Sequence, residues 1–177
     1  MDKFLEKYKL LDYHTTELEI DKMEFVRRLR QAVDDGSTSA IANPFEAFSS
    51  SDNDYIGQVT TEGFEFRKRR KMFEPNFNMA FVSGKFNQDR DRLVITSKIN
   101  GLGKALKFFF IAISVFYIFM AAALLVVSTT DTDFPPFIIL FLIPHAMLMF
   151  CIPFFMARYG VRRMKKELER EFHYIAR

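Results

Sequence analysis

Two long stretches of this chain carry no charge, and the segments around them alternate between apolar and polar positions. Residues 108–130 (FFFIAISVFYIFMAAALLVVSTT) run for 23 residues without a charged side chain, and residues 134–157 (FPPFIILFLIPHAMLMFCIPFFMA) for 24. About 20 helical residues cross the ~30 Å hydrocarbon layer of a bilayer. A soluble helix that is apolar all round needs protein on every side, and a chain this small has too little to cover two. The pattern predicts two membrane spans, at about residues 107–129 and 135–157. The polar turn between them (STTDTDFPP, residues 128–136) makes them a helical hairpin, residues 104–157, with Pro135 and Pro136 placed for the first turn of the second helix. Paired helices keep their backbone hydrogen bonds satisfied inside lipid.

Residues 1–103 read as a separate α+β domain. In TTELEI (residues 15–20), Leu18 and Ile20 share one face of a half-exposed strand. Asp21 is placed to cap a helix, with Glu24 at the spacing of a capping box. The helix over residues 22–33 sets Met23, Val26, Leu29 and Val33 along one stripe. Residues 36–54, rich in Ser, Asn and Asp, predict a surface loop with a short helical turn at 44–48. Strands follow at 55–60 and 63–71 around a turn at Thr61-Glu62-Gly63. A third covers 76–86 with Gly84 as a bulge, residues 87–90 turn the chain, and a fourth covers 92–99 with Leu93, Ile95 and Ser97 on one face. Beyond the second span, Met164, Leu168, Phe172 and Ile175 mark an amphipathic helix, residues 161–175 within a cytoplasmic segment 158–177, that can return to the sheet. The expected fold is α+β: a small antiparallel sheet with one or two packed helices, and a transmembrane hairpin inserted before the C-terminal helix.

The run Tyr55-Ile56-Gly57-Gln58-Val59, then Gly63-Phe64-Glu65-Phe66-Arg67, Val82-Ser83-Gly84-Lys85-Phe86 and Leu93-Val94-Ile95-Thr96 resembles a family of uncharacterised bacterial proteins with two transmembrane helices. The resemblance covers about residues 15–128 and rests on sheet positions. Residues 76–80 depart from it, where the family pattern has a proline-containing strand start. It implies the small cytoplasmic α+β domain and the hairpin, and carries no activity with it.

Charge adds an orientation. Lys98, Lys104 and Lys107 precede the first span, while Arg158, Arg162, Arg163, Lys165 and Lys166 follow the second. The loop between the spans has no Lys or Arg, so the positive-inside rule puts both termini in the cytoplasm, as for a multi-pass protein of the inner (plasma) membrane. The opening MDKFLEKYKLLDY has charges throughout and no apolar segment, so no cleavable signal peptide is expected. The single Cys151 lies in the second span, which leaves no intrachain disulfide. Over the 177 residues, 25 Lys and Arg face 22 Asp and Glu, and the near-zero mean hydropathy averages two unlike parts. The composition excludes a fully soluble enzyme, a disulfide-stapled secreted domain and a charged disordered chain.

Candidate chemistry is sparse. Arg67, Lys68, Arg69, Arg70 and Lys71 form the strongest cluster, read either as a solvated strand end or as a contact for anionic lipid headgroups or another anionic partner. Nucleic acid is not expected, because residues 1–103 hold 16 basic and 17 acidic side chains and no broad basic face. His145, beside Pro144 in the second span, is an intramembrane polar group that can hydrogen-bond the first span, for example at Ser114 or Tyr117, or make a polar contact in an oligomer. Met149 shares its helical face but Met147 and Cys151 do not, which argues against copper. Pro144 and Pro153 are candidate kinks, and Ala121, Ala122 and Ala123 allow close helix approach. Gly101-Leu102-Gly103-Lys104 lacks the leading Gly and following Ser or Thr of a phosphate loop and reads as a joint. His14 and His173 are isolated, and no catalytic triad, metal set or cofactor motif is visible. The sequence therefore predicts a membrane-anchored, non-catalytic module at the cytoplasmic face, with the bilayer, anionic headgroups, a protein partner or further copies of itself as partners. A subunit of an oligomeric transporter or channel is the alternative, and an enzyme acting on lipid-linked substrate ranks below both.

Overall fold

The computed structural model describes residues 2–38, 53–69, 80–130 and 137–177. The chain divides into two compact units: residues 1–103 with 156–177, and residues 104–155.

The first unit is α+β. Among the described residues it contains helices α1 (Asp2–Lys7) and α2 (Lys22–Ala32), and strands β1 (Leu11–Leu18), β2 (Val33–Asp35), β3 (Tyr55–Val59), β4 (Gly63–Lys68), β5 (Phe81–Asp89) and β6 (Arg92–Asn100). The strands form one mixed sheet in the order β1-β6-β5-β4-β3-β2, antiparallel except for the parallel edge pair β2–β3. This sheet is larger than the small antiparallel one the pattern predicts, for two reasons. Val33, read as the last helical residue, is extended (φ −120°, ψ 122°) and starts β2. The first strand runs over Leu11–Leu18 rather than 15–20, because all eight residues pair with β6 from Leu11↔Asn100 to Leu18↔Leu93. Helix α1 is likewise absent from the expected elements.

Gly84 is not a bulge. It keeps register with Phe64 on one side and Ser97 on the other, and a Cβ there would lie 2.4 Å from Cζ of Phe64. Glycine at this position lets the Phe64 ring lie across the sheet. Strand β5 extends to Asp89, so the expected turn over residues 87–90 narrows to Arg90-Asp91, with Arg90 at φ 52°. The helical turn expected at 44–48 and the strand start at 76–79 lie outside the described residues.

Asp21 caps α2 as expected, its carboxylate accepting from the amides of Met23 and Glu24. Glu24 instead uses its side chain on Arg27 and Arg28. The buried stripe of α2 is Phe25, Val26 and Leu29; Met23 is 59% exposed. Phe25 takes the inward place by setting its ring edge-on to Phe86 and Phe172, at 5.8 and 5.6 Å.

Helix α3 covers Lys104–Thr130, and α4 covers Phe137–Ala176 without a break, passing through Pro144 and Pro153. The expected separate C-terminal helix is thus the last part of α4. Its Val161, Met164, Leu168 and Phe172 are buried in the first unit against Phe64, Val82, Leu93, Ile95 and Ile99 of the sheet. That is the face on which Leu93, Ile95 and Ser97 were expected to lie together. The two apolar helices are long enough to cross a membrane, and only 11% and 6% of their most apolar stretches are buried.

Candidate functional site

The register orders the sheet into two ends. Asn100 of β6 lies opposite Leu11 and Phe81, Phe81 opposite Arg67, Arg67 opposite Ile56, and Ile56 opposite Asp34. The basic cluster therefore begins at the same sheet end as Asn100, from which the chain passes through Gly101 to α3 at Lys104. Gly101 is tied there by its amide, which donates to the Leu10 carbonyl at 2.9 Å. Its backbone also lies against α4, since an added Cβ would meet the Ala157 carbonyl oxygen at 2.8 Å.

The three described cations of the cluster are engaged with the protein itself. Arg67 is buried on the face opposite Phe64 and Phe66, and its guanidinium donates to the carbonyls of Lys68 and Ser37. Arg69 is buried against the Asp34 carboxylate. Lys68 continues the core face and meets Glu167 of α4 at 3.3 Å, where Glu167 also receives Arg163 at 2.7 Å. Arg70 and Lys71 lie outside the described residues. The counterions Asp34 and Glu167 are separated from the cluster by 35 and 99 residues, so no local spacing could have found them. Tyr55, packed on Phe66 near these carboxylates, has its hydroxyl pKa raised by burial first, then by Glu171 and Glu167.

A second polar group of interest sits on the core face of β1 and β6. His14 lies directly opposite Ser97, and Thr16 opposite Ile95. His14 Nε2, Thr16 Oγ1 and Ser97 Oγ are all buried and find no hydrogen-bond partner among the described residues. Toward the Leu11 end, Asp12 is paired with Lys165 of α4 at 2.9 Å.

In the second unit, Tyr117 Oη and His145 Nδ1 share a 2.6 Å hydrogen bond whose direction follows the imidazole tautomer. The Ser114 hydroxyl donates to its own helix, to the Phe110 carbonyl. Phe150 stacks on Phe110 at 6.0 Å and lies 6.2 Å from the Tyr117 ring, so the polar pair is flanked by aromatics. Among the described residues no group of three or more His, Cys, Asp or Glu side chains is arranged to hold a metal ion.

No protein-family model matches the chain, and neither a curated protein nor a solved structure matches it significantly. What the residues define is an α+β unit joined in one chain to two helices long and apolar enough to cross a membrane.

Proposed function

We propose that this protein is a membrane-anchored module of a bacterial inner membrane. The two apolar helices cross the bilayer as a hairpin, both termini lie in the cytoplasm, and the α+β unit presents a binding or assembly surface there. The observation that carries this reading is the exposure of the apolar helices. Phe108, Ile118, Phe119, Leu140, Phe141 and Phe155 are more than half exposed, a continuous apolar surface that only lipid or other apolar helices can cover. Arg158 follows Ala157 directly, with Arg162 and Arg163 within the next two turns, and these cations bound the second span at its C-terminal end. A binding role is favoured over catalysis because the space between helices and sheet is filled by Phe25, Phe64, Phe86 and Phe172, with ring centroids 5.3–5.8 Å apart.

The transporter reading keeps one observation in its favour: an ionisable His145, hydrogen-bonded to Tyr117, inside an apolar helix. Two spans cannot enclose a pathway alone, so this reading requires an oligomer.

Alkaline carbonate extraction and cysteine labelling test the proposal. In a Cys151→Ser background, Lys3→Cys and Arg177→Cys should resist a membrane-impermeant maleimide in intact cells, while Asp133→Cys should react. Extraction of the protein into carbonate would overturn the membrane reading. Labelling of Lys3→Cys from outside would overturn the orientation. Loss of flux through a detergent-stable oligomer on His145→Ala would favour the transporter.

A further inference from the structure

We infer that α1 is an interfacial anchor that seats the α+β unit on an anionic lipid surface, an inference that rests on the membrane reading above. The unit buries Leu5 and Leu10 of its N-terminal segment, which fixes α1 to the sheet. What α1 turns outward is then unusual for a soluble helix. Phe4 is 60% and Tyr8 42% exposed, their rings 4.7 Å apart, and Lys3, Lys7 and Lys9 are exposed around them. At 100° per residue Lys3 and Lys7 lie opposite Leu5, with Phe4 and Tyr8 on one flank. Of the two acidic residues on the other flank, Asp2 is already neutralised by Lys98 at 2.7 Å. Glu6 remains, at the edge of a surface cleft that also holds Lys9, Tyr13 and Arg162.

Covalent continuity gives this face its partner. Leu10, three residues beyond α1, accepts the Gly101 amide, and Gly101 also lies against Ala157. Leu106 begins the first apolar helix only five residues after Gly101, a reach of about 17 Å at most. Ala157 is the last residue before the cations that end the second span. Gly101 and Ala157, the points of the α+β unit next to which the chain enters and leaves the two apolar helices, therefore lie beside the segment that carries Phe4 and Tyr8. Aromatic rings flanked by lysines are the chemistry that partitions into the headgroup layer. Among the described residues of the sheet cluster, Arg67, Lys68 and Arg69 already hold internal partners.

The full-length protein in nanodiscs tests the inference. The discs contain phosphatidylcholine alone or with phosphatidylglycerol, and each carries a trace of phospholipid bearing a diazirine near its glycerol backbone. Photolabel should appear on residues 2–10 as well as on the two spans, and more strongly with phosphatidylglycerol. Each lysine near an anionic surface is worth about fivefold in the docking equilibrium, so Lys3→Gln, Lys7→Gln and Lys9→Gln together should weaken it roughly 100-fold and remove the dependence on phosphatidylglycerol. Phe4→Ser with Tyr8→Ser should remove the label from residues 2–10 in both discs. Amide exchange in β1 should stay unchanged in every variant, since Leu5 and Leu10 are kept. Label on the spans but none on residues 2–10 would overturn the inference and leave the membrane reading standing. Label on neither would overturn both. Crosslinks between two copies through residues 2–10 would replace lipid by a second chain and overturn it as well.

Discussion

Replacing Phe172 with alanine should loosen the sheet far more than its place near the C-terminus suggests. The side chain is fully buried and meets Phe25 and Phe64 edge-on, each at 5.6 Å. Truncating a buried phenylalanine costs about 3–5 kcal/mol, from lost transfer energy and from the cavity left behind. Leu168 and Met164 sit one and two helical turns away on the same face and cannot both refill the space without leaving the sheet. The assay is native-state hydrogen exchange on the full chain in detergent, read at the amides of Val82 and Ile95 in the central strands. At a factor of ten per 1.4 kcal/mol, their exchange should accelerate by roughly 100- to 5,000-fold. Tyr174→Ala is the control: its side chain is 75% exposed, so it should shift the same amides by no more than about threefold. If Phe172→Ala changed exchange no more than this control, the end of α4 would stand outside the core of the first unit, and the sheet would be held by α2 alone.

Three further outcomes follow from particular contacts. Thr16→Val removes a buried hydroxyl that has no partner among the described residues while keeping its shape, so it should be neutral or stabilising by about 1 kcal/mol in chemical denaturation of the full chain in detergent; a loss of about 1 kcal/mol or more would mean that the hydroxyl is hydrogen-bonded. Glu24 has its pKa lowered to about 2 by the hydrogen bonds from Arg27 and then Arg28. Its folded value lies below the unfolded one, so its contribution to stability is present above about pH 4.5 and lost as pH falls toward 2. Glu24→Gln should flatten the acid limb of the stability curve in that window, and an unchanged limb would contradict the assignment. Tyr117→Phe removes the hydroxyl that meets His145 and should weaken helix pairing in detergent by about 0.6 kcal/mol and no more than about 2, measured by steric trapping; no change would mean the bond contributes nothing in the full chain.

The apolar helices, the cap at Asp21 and the antiparallel run from β3 to β6 could all be read from local pattern. Each is decided by residues within a few positions of one another: a 3.6 or 2.0 periodicity, an aspartate before a helix, a glycine in a tight turn. The His145–Tyr117 contact was legible for a related reason, because a polar group in an apolar helix has few partners and Tyr117 is one of the few polar side chains on the first span. The basic run at Arg67 was legible as charge but not as environment. Sequence shows five adjacent cations, and only the folded chain shows that Asp34 and Glu167 arrive to meet Arg69 and Lys68, while backbone carbonyls take Arg67.

The sequence by itself determined where charge is absent, and hence which two stretches are helices long and apolar enough to cross a membrane. It also determined the strand periods and the buried face of β6. Tertiary structure alone decided that Val33 leaves the helix to pair with Tyr55, that β1 begins at Leu11, and that Phe25 rather than Met23 points inward. It alone decided that α4 runs on through Ala157 to complete the core of the first unit. These are choices between conformations that local pattern leaves nearly equal in free energy, and contacts between residues dozens of positions apart separate them.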